Sequence, residues 1–119
     1  MDKVNIADKL SRFSDHWNPR IVGELNGQQV KLAKLKGEFV WHAHDNEDEM
    51  FYVLKGELRM EFRDRTVVLG EHEFLIVPRG TEHRPVALEE VSLMLFEPNT
   101  TLNTGNTTGE LTRTRLESL

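Results

Sequence analysis

Residues 20–97 consist of short apolar segments separated by turn residues, and this spacing constrains the fold more than any other feature. The pair Asn26-Gly27 is typical of a tight two-residue β-hairpin, and further glycines end several of the other segments. The helical spacing of apolar residues is absent between them. We therefore predict an all-β fold, an antiparallel sandwich or barrel. Its eight or nine strands are expected over residues 21–25, 28–36, 38–44, 49–55, 57–62, 66–69, 74–77, 83–87 and 91–97.

The two ends of the chain differ from this central region. Near the N-terminus, Ile6, Leu10 and Phe13 share one face of a helix, and Asn5 followed by Asp8 resembles a capping box. We predict a helical segment over residues 1–19 that packs one apolar stripe on the barrel of residues 20–97. Residues 99–119 contain seven Thr and three Asn, so the tail of residues 98–119 is either flexible or lies over the barrel or a partner. With 119 residues, we expect a single domain.

Composition excludes several classes of function. A net charge of −5 argues against nucleic acid as the main partner, because phosphate binding needs a dense positive surface. The absence of cysteine excludes disulfides, zinc–thiolate sites and thiol nucleophiles. No apolar run reaches the roughly 20 residues of a membrane span. The first residues lack the apolar core of a signal peptide, which makes the cytoplasm the expected location.

Several predicted strands are apolar on both faces. In residues 49–55, Phe51 and Val53 alternate with Met50, Tyr52 and Leu54. An antiparallel strand with one face in water should instead alternate with polar residues. The second face must therefore be covered by the other sheet, by the N-terminal helix or by a second subunit, and we expect a homodimer.

Four side chains form the candidate site: His42, His44, Glu49 and His83. The two-residue spacing of His42 and His44 places both imidazoles on one face of a strand, which Val40 would share. In a hairpin with a four-residue loop, Glu49 would lie opposite His44. His83 begins a separate strand and joins the set if the sheet curls.

These residue types favour a metal site over a proton relay. Three imidazoles and a carboxylate suit a divalent first-row cation such as Fe, Mn, Ni or Zn. Without a cation, burying them would cost several kcal/mol of desolvation. The remaining histidines, His16 and His72, are expected in solvent. Arg79 and Arg84 are expected to form surface ion pairs with Glu82, Glu89 or Glu90.

The sequence resembles the cupin superfamily in two motifs. The first runs from Gly37 through His42-Ala-His44 and Glu49 to Gly56, with a gap from Gly37 to His42 one residue short of the commonest form.

The second motif is Pro78-Arg-Gly80-Thr-Glu-His83, with Gly70 as its leading glycine. Ala87 stands where the family often has an asparagine, which is not a metal ligand.

The resemblance implies a small barrel or jelly roll, commonly dimeric, with an interior metal held by His42, His44, Glu49 and His83. Small single-domain members are often described as similar to mannose-6-phosphate isomerase. The superfamily includes oxygenases, isomerases, epimerases and sugar-binding modules, so the fold alone does not choose a reaction.

The leading hypothesis is a metal-dependent enzyme, an oxygenase or an isomerase or epimerase, whose small organic substrate chelates the metal at open positions. Glu49, if released from the metal, would be its catalytic base. The alternatives are a non-catalytic module that binds a sugar or a small acid, and a structural dimer with vestigial histidines.

Overall fold

Antiparallel strand pairing accounts for almost all regular structure of the computed structural model, which describes residues 1–119. The elements are helix α1 (Ile6–Leu10) and strands β1 (Arg20–Leu25), β2 (Gln28–Glu38), β3 (Glu49–Lys55), β4 (Leu58–Phe62), β5 (Thr66–Leu69), β6 (Phe74–Val77) and β7 (His83–Pro98). The sheet runs in the order β1-β2-β7-β3-β6, and β4 joins it by pairing with both β5 and β7. The predicted all-β class is confirmed, and its arrangement is that of a jelly-roll barrel.

The predicted Asn26-Gly27 hairpin is present between β1 and β2. Both residues have positive φ angles, 51° and 77°, as a type I′ turn requires.

Two strand predictions are wrong. Residues 38–44 do not form a strand: β2 continues through Gly37 to Glu38, and only His42 makes an isolated bridge beyond it. Residues 83–87 and 91–97 are not separate strands, because β7 runs unbroken from His83 to Pro98. Residues 88–90, in the middle of β7, are exposed, as the residues of a turn between two strands usually are. β7 pairs with β4 and β2 before this stretch and with β2 and β3 after it, and residues 88–90 lie at a register shift between the two paired parts.

Side chains alternate along β7 between two apolar clusters, a large one inside the barrel and a smaller one on its outer face. Val91, Leu93 and Leu95 belong to the large cluster inside the barrel, together with Phe51 and Val53 of β3. The intervening side chains face outward, which explains why these strands are apolar on both sides.

The N-terminal helical segment covers part of the outer face. Ile6 and Leu10 pack against a smaller cluster of Phe13, Val22 and Leu32. The Asn5 side chain accepts a hydrogen bond from the Asp8 N–H at 3.0 Å, as predicted for the N-cap. The helix is shorter than the predicted stripe, because it ends at Leu10 and buried Phe13 follows it.

The C-terminal segment lies over the barrel. The Ile21 N–H donates to the Glu117 carbonyl and the Leu119 N–H donates to the Ile21 carbonyl, both at 2.9 Å. Leu111 packs against the large core cluster. None of the helices is both long enough and apolar enough to cross a membrane.

The burial pattern of β7 can be tested with two leucines of that strand. Leu93 is 1% exposed and Leu88 is 70% exposed. We expect Leu93→Ala to lower the free energy of unfolding by about 3 kcal/mol, because it empties space in the core. The matched control, Leu88→Ala, should change it by less than about 0.5 kcal/mol. Urea unfolding followed by circular dichroism measures both, and equal losses would show that the burial pattern of β7 is wrong.

Candidate metal centre

Backbone hydrogen bonds bring the two histidine-bearing segments together. The His42 N–H donates to the His83 carbonyl at 3.0 Å, and the His83 N–H donates to the His42 carbonyl at 2.9 Å. The His44 carbonyl accepts a hydrogen bond of 2.7 Å from the Gly80 N–H. This pairing places the first residue of β7 beside the irregular segment that follows β2.

Glu49 reaches the same place by a different route from the one expected. It begins β3 and pairs with Val77 of β6, so it is not opposite His44 in a hairpin. The hairpin prediction is wrong because residues 39–48 do not form a strand. For the same reason Val40 does not share the face of the histidines and is 37% exposed.

The structure nevertheless brings all four predicted side chains together inside the barrel. One ligand atom from each of His42, His44, Glu49 and His83 lies within 4.8 Å of the others. Each residue is less than 5% exposed. The Glu49 Oε1 atom is 2.8 Å from His44 Nε2 and 3.3 Å from His83 Nε2.

Two of the rings are oriented by backbone carbonyls. His42 Nδ1 lies 2.9 Å from the Val40 carbonyl oxygen, and His83 Nδ1 lies 2.8 Å from the Thr81 carbonyl oxygen. A carbonyl only accepts, so the proton of each neutral ring is on Nδ1 and the Nε2 lone pair is free. Proteins commonly orient metal-binding histidines in this way.

Several buried polar atoms at the centre lack hydrogen-bond partners. They are His44 Nδ1, His44 Nε2, Glu49 Oε1 and His83 Nε2, whose short separations do not have hydrogen-bonding angles. An unpaired buried polar atom costs about 1–3 kcal/mol. A divalent cation would satisfy one of these atoms from each residue, and the donor set of imidazole and carboxylate suits Fe, Mn, Ni or Zn. The residues therefore fit a metal ion.

Electrostatics keep His42 and Glu49 in the forms that bind metals. Burial, reinforced by His83, lowers the pKa of His42 to about 4, so its imidazole is neutral at pH 7. Burial acts to raise the pKa of Glu49, but the adjacent imidazoles of His44 and His83 lower it well below its usual range. Glu49 is consequently an ionised carboxylate.

A second buried carboxylate was missed by the sequence analysis. Glu97 on β7 is 3% exposed and lies 2.7 Å from the Nζ atom of Lys31 on β2, which is 2% exposed. Burial and the negative charge of Glu49 raise the pKa of Glu97 well above its usual value, and Lys31 opposes this shift. Lys31 pairs with Leu95, so Glu97 is its diagonal neighbour across the strands. The sequence did contain one indication of this pair, because Lys31 lies between apolar residues of a strand that is apolar on both faces. Its partner could not be identified without knowing that β2 pairs with β7.

A small cavity of about 40 Å³ adjoins the four-residue cluster. Its polar lining comes from His42, Glu49, Glu97 and Asn103. Its apolar wall includes aromatic and branched side chains, among them Trp17, Leu35, Phe39, Phe51, Leu93 and Leu95.

The other histidines lie outside the centre. His16 Nε2 is 2.7 Å from a Glu90 carboxylate oxygen, and exposed His72 lies 3.2 Å from the Tyr52 hydroxyl. Tyr52 thus points away from Glu49.

The expected partners of the two arginines are wrong. Arg79 pairs with Asp48, and Arg84 pairs with Glu61 and Glu38. These acidic residues belong to other segments that the fold brings close, whereas the expected partners are near the arginines in sequence.

Comparison with known proteins gives one family match and one curated relative. The family model described as "Cupin domain" matches residues 28–99. The uncharacterized protein YdbB of Bacillus subtilis (strain 168) is 45% identical over 80 residues, which is 66% of this chain. The match spans 65% of that relative's length.

Solved structures share the fold. A cupin-2 domain containing protein from Shewanella frigidimarina is 46% identical, with a TM-score of 0.80, and the match covers 81% of this chain and 94% of that one. Protein NMB1881 from Neisseria meningitidis is 29% identical, with a TM-score of 0.76 and coverage of 82% and 100%. KdgF from Halomonas sp. is 25% identical, with a TM-score of 0.60 and coverage of 68% and 79%.

The lowered pKa of His42 predicts how stability depends on pH. In the unfolded chain this imidazole has its ordinary value of 6.5, against about 4 in the folded protein. Between these values the unfolded chain binds the extra proton, so stability falls as pH decreases from about 6.5 to about 4. We expect metal-free protein to lose on the order of 3 kcal/mol more than His42→Gln over this range.

Urea unfolding of chelator-treated protein at several pH values measures this difference. His72→Gln is the control, because His72 is exposed, and it should follow the wild type. Parallel pH profiles of wild type and His42→Gln would contradict the assigned burial of His42.

Proposed function

Since this chain belongs to the cupin domain family, we propose that it is a metal-dependent enzyme that acts on a small organic substrate. One observation carries the proposal: four buried ligand atoms lie within 4.8 Å of one another. Several of these atoms lack any hydrogen-bond partner. A closed apolar interior would not tolerate such a group of polar atoms without a ligand.

The proposed metal ligands are His42, His44, Glu49 and His83, and the proposed ion is Fe, Mn, Ni or Zn. A bound cation of this kind would act as a Lewis acid toward substrate oxygen atoms. The chain supplies the rest: carbonyls fix the rings of His42 and His83, and largely apolar side chains form the cavity wall.

The cavity lining favours an uncharged substrate. No arginine or lysine lines it, and the Nζ atom of nearby Lys31 already contacts the Glu97 carboxyl group at 2.7 Å. A phosphate group would find no free cation there, whereas a compact hydroxy-ketone or diketone would match apolar walls that carry a few polar groups. This lining supports such substrates over the sugar phosphates that the mannose-6-phosphate isomerase resemblance implies.

Proton transfer would depend on the two carboxylates of the cavity. Glu49 is ionised and, if released from the metal, is the proposed base. Glu97 lines the same cavity, and its raised pKa allows it to hold a proton at a pH where Glu49 cannot. The two environments push the pKa values of these carboxyl groups apart, as is common in acid–base sites.

Metal content is the first test of the proposal. We expect protein purified without chelator to contain about one divalent ion per chain by elemental analysis. Loss of one imidazole from a four-ligand set should release most of the metal, so His44→Gln and His83→Gln should each retain less than a tenth. His72→Gln is the control and should retain all of it. Absence of stoichiometric metal, with no stabilisation by added Fe, Mn, Ni or Zn, would refute the proposal.

Turnover separates the candidate reactions. Oxygen uptake with a diketone indicates an oxygenase, and interconversion of hydroxy-ketones without oxygen indicates an isomerase or epimerase. Calorimetric binding of a sugar or a small acid with no product after long incubation would identify the alternative, a non-catalytic binding module.

We also propose that the chain forms a homodimer through the outer face of β6. Phe74 and Ile76 are each 55% exposed there, on the terminal strand of the sheet order. The Tyr52 ring stacks on Phe74 with the ring centroids 6.4 Å apart, which extends the apolar surface onto β3. Exposed apolar patches commonly mark association surfaces.

Light scattering tests the dimer. We expect twice the chain mass of 13.8 kDa for the wild type and a single chain mass for Ile76→Asp, because burying a charge at the interface is unfavourable. Leu88→Asp, at a residue that is 70% exposed on β7, is the control and should remain dimeric. A monomeric wild type would refute the proposal.

A further inference from the structure

The C-terminal segment comprises residues 99–119, and all of it after Asn99 lies beyond the family match, which ends at residue 99. It leaves β7, passes the candidate metal centre and returns to β1. The Asn99 N–H donates to the Gly27 carbonyl at 3.0 Å, and the Leu119 N–H donates to the Ile21 carbonyl at 2.9 Å. Both ends of the segment are therefore fixed to the barrel.

Between these ends, the segment hydrogen-bonds to the residue that separates the two histidines. The Ala43 N–H donates to Asn106 Oδ1 at 3.0 Å, and the Asn106 N–H donates to the Ala43 carbonyl at 2.9 Å. Asn106 thus satisfies both backbone polar groups of Ala43. His42 and His44 are held by the second motif on either side, but Ala43 has only this partner among the backbone hydrogen bonds outside regular elements.

The segment also approaches the His42 ring. Gly105 has a φ angle of 55°, and a Cβ placed on it would overlap the Ala43 carbonyl oxygen and lie 3.2 Å from His42 Cδ2. The Cδ2 atom is bonded to Nε2, the proposed ligand atom. Only glycine permits this close approach without a shift of Ala43 or of the ring.

Internal hydrogen bonds make this part of the segment a defined structure. Thr104 is 1% exposed, and its hydroxyl lies 2.7 Å from the Thr107 carbonyl and 2.8 Å from the Thr112 hydroxyl. The Asn103 side chain is engaged with Leu111 and Arg113 backbone groups.

We propose that Asn106 is a positioning residue for the metal centre. It supplies to Ala43 the backbone hydrogen bonds that a neighbouring strand would provide if residues 42–44 were part of a sheet. The inference rests on the proposed metal site. Asn106 contacts neither His42 nor His44 by hydrogen bond and acts through Ala43. Because residues 42–44 are irregular, the position of the backbone between the two imidazoles depends on the hydrogen bonds from Asn106.

Zinc affinity tests this role, measured by competition with a chromogenic chelator. We expect Asn106→Ala to weaken Zn²⁺ binding about 10-fold and Gly105→Ala about 100-fold, in the range seen when groups that orient metal ligands are removed. Asn106→Asp retains the acceptor oxygen and should restore affinity to within about threefold of the wild type. Asn106 is exposed, so its replacement leaves no cavity.

Thr112→Val is the matched control within the segment. It removes the hydrogen bonds of Thr112 with Thr104 and Gly109 and leaves Ala43 untouched. We expect a lower melting temperature with an unchanged zinc affinity. Equal weakening by Thr112→Val and Asn106→Ala, or wild-type affinity in folded Asn106→Ala and Gly105→Ala, would overturn the proposal.

Imidazole NMR spectra of metal-free protein provide a readout that does not depend on metal. At one fixed pH, Asn106→Ala should shift the ring signals of His42 and His44 and leave those of His16 and His72 in place. If the wild type binds no metal, the proposed function fails, and the ring signals still decide the positioning role. Unchanged His42 and His44 signals in Asn106→Ala would overturn it.

Discussion

Burial of four ionisable side chains in one barrel interior is the constraint on which the rest of this structure depends. Removing imidazole and carboxylate groups from water is unfavourable unless each finds a partner. The carbonyls of Val40 and Thr81 satisfy one nitrogen of His42 and of His83, and Lys31 compensates Glu97. One ligand atom from each of His42, His44, Glu49 and His83 lies within 4.8 Å of the others, so the same arrangement that costs stability creates a candidate ligand set.

The sequence predicted which residues form the candidate site better than how the fold brings them together. Strand periodicity located β3, β5 and β6 at their observed bounds, because their alternation and turn residues are local properties. The candidate ligands were also found, since residue type and motif spacing are local. The hairpin between His44 and Glu49 was wrong because pairing partners depend on distant strands, here β6 and β7.

Two other features could not be predicted from the sequence, because they also depend on contacts between residues far apart in the chain. The Lys31–Glu97 pair joins residues 66 positions apart, and charged residues in a strand usually indicate a solvent-facing side. The C-terminal segment has the composition of a flexible tail, yet its threonines and asparagines hydrogen-bond to one another and to Ala43. Polar side chains can order a segment without an apolar stripe, which hydrophobic patterning does not detect.

The link between Asn106 and Ala43 spans 63 residues, and this separation has a consequence during protein synthesis. A ribosome adds roughly 5–20 residues per second, so His42 and His44 emerge several seconds before the residue that braces them. A nascent chain that has exposed both histidines but not Asn106 carries an incomplete form of the proposed metal site. That site would therefore be complete only at the end of synthesis, when the whole barrel has been released.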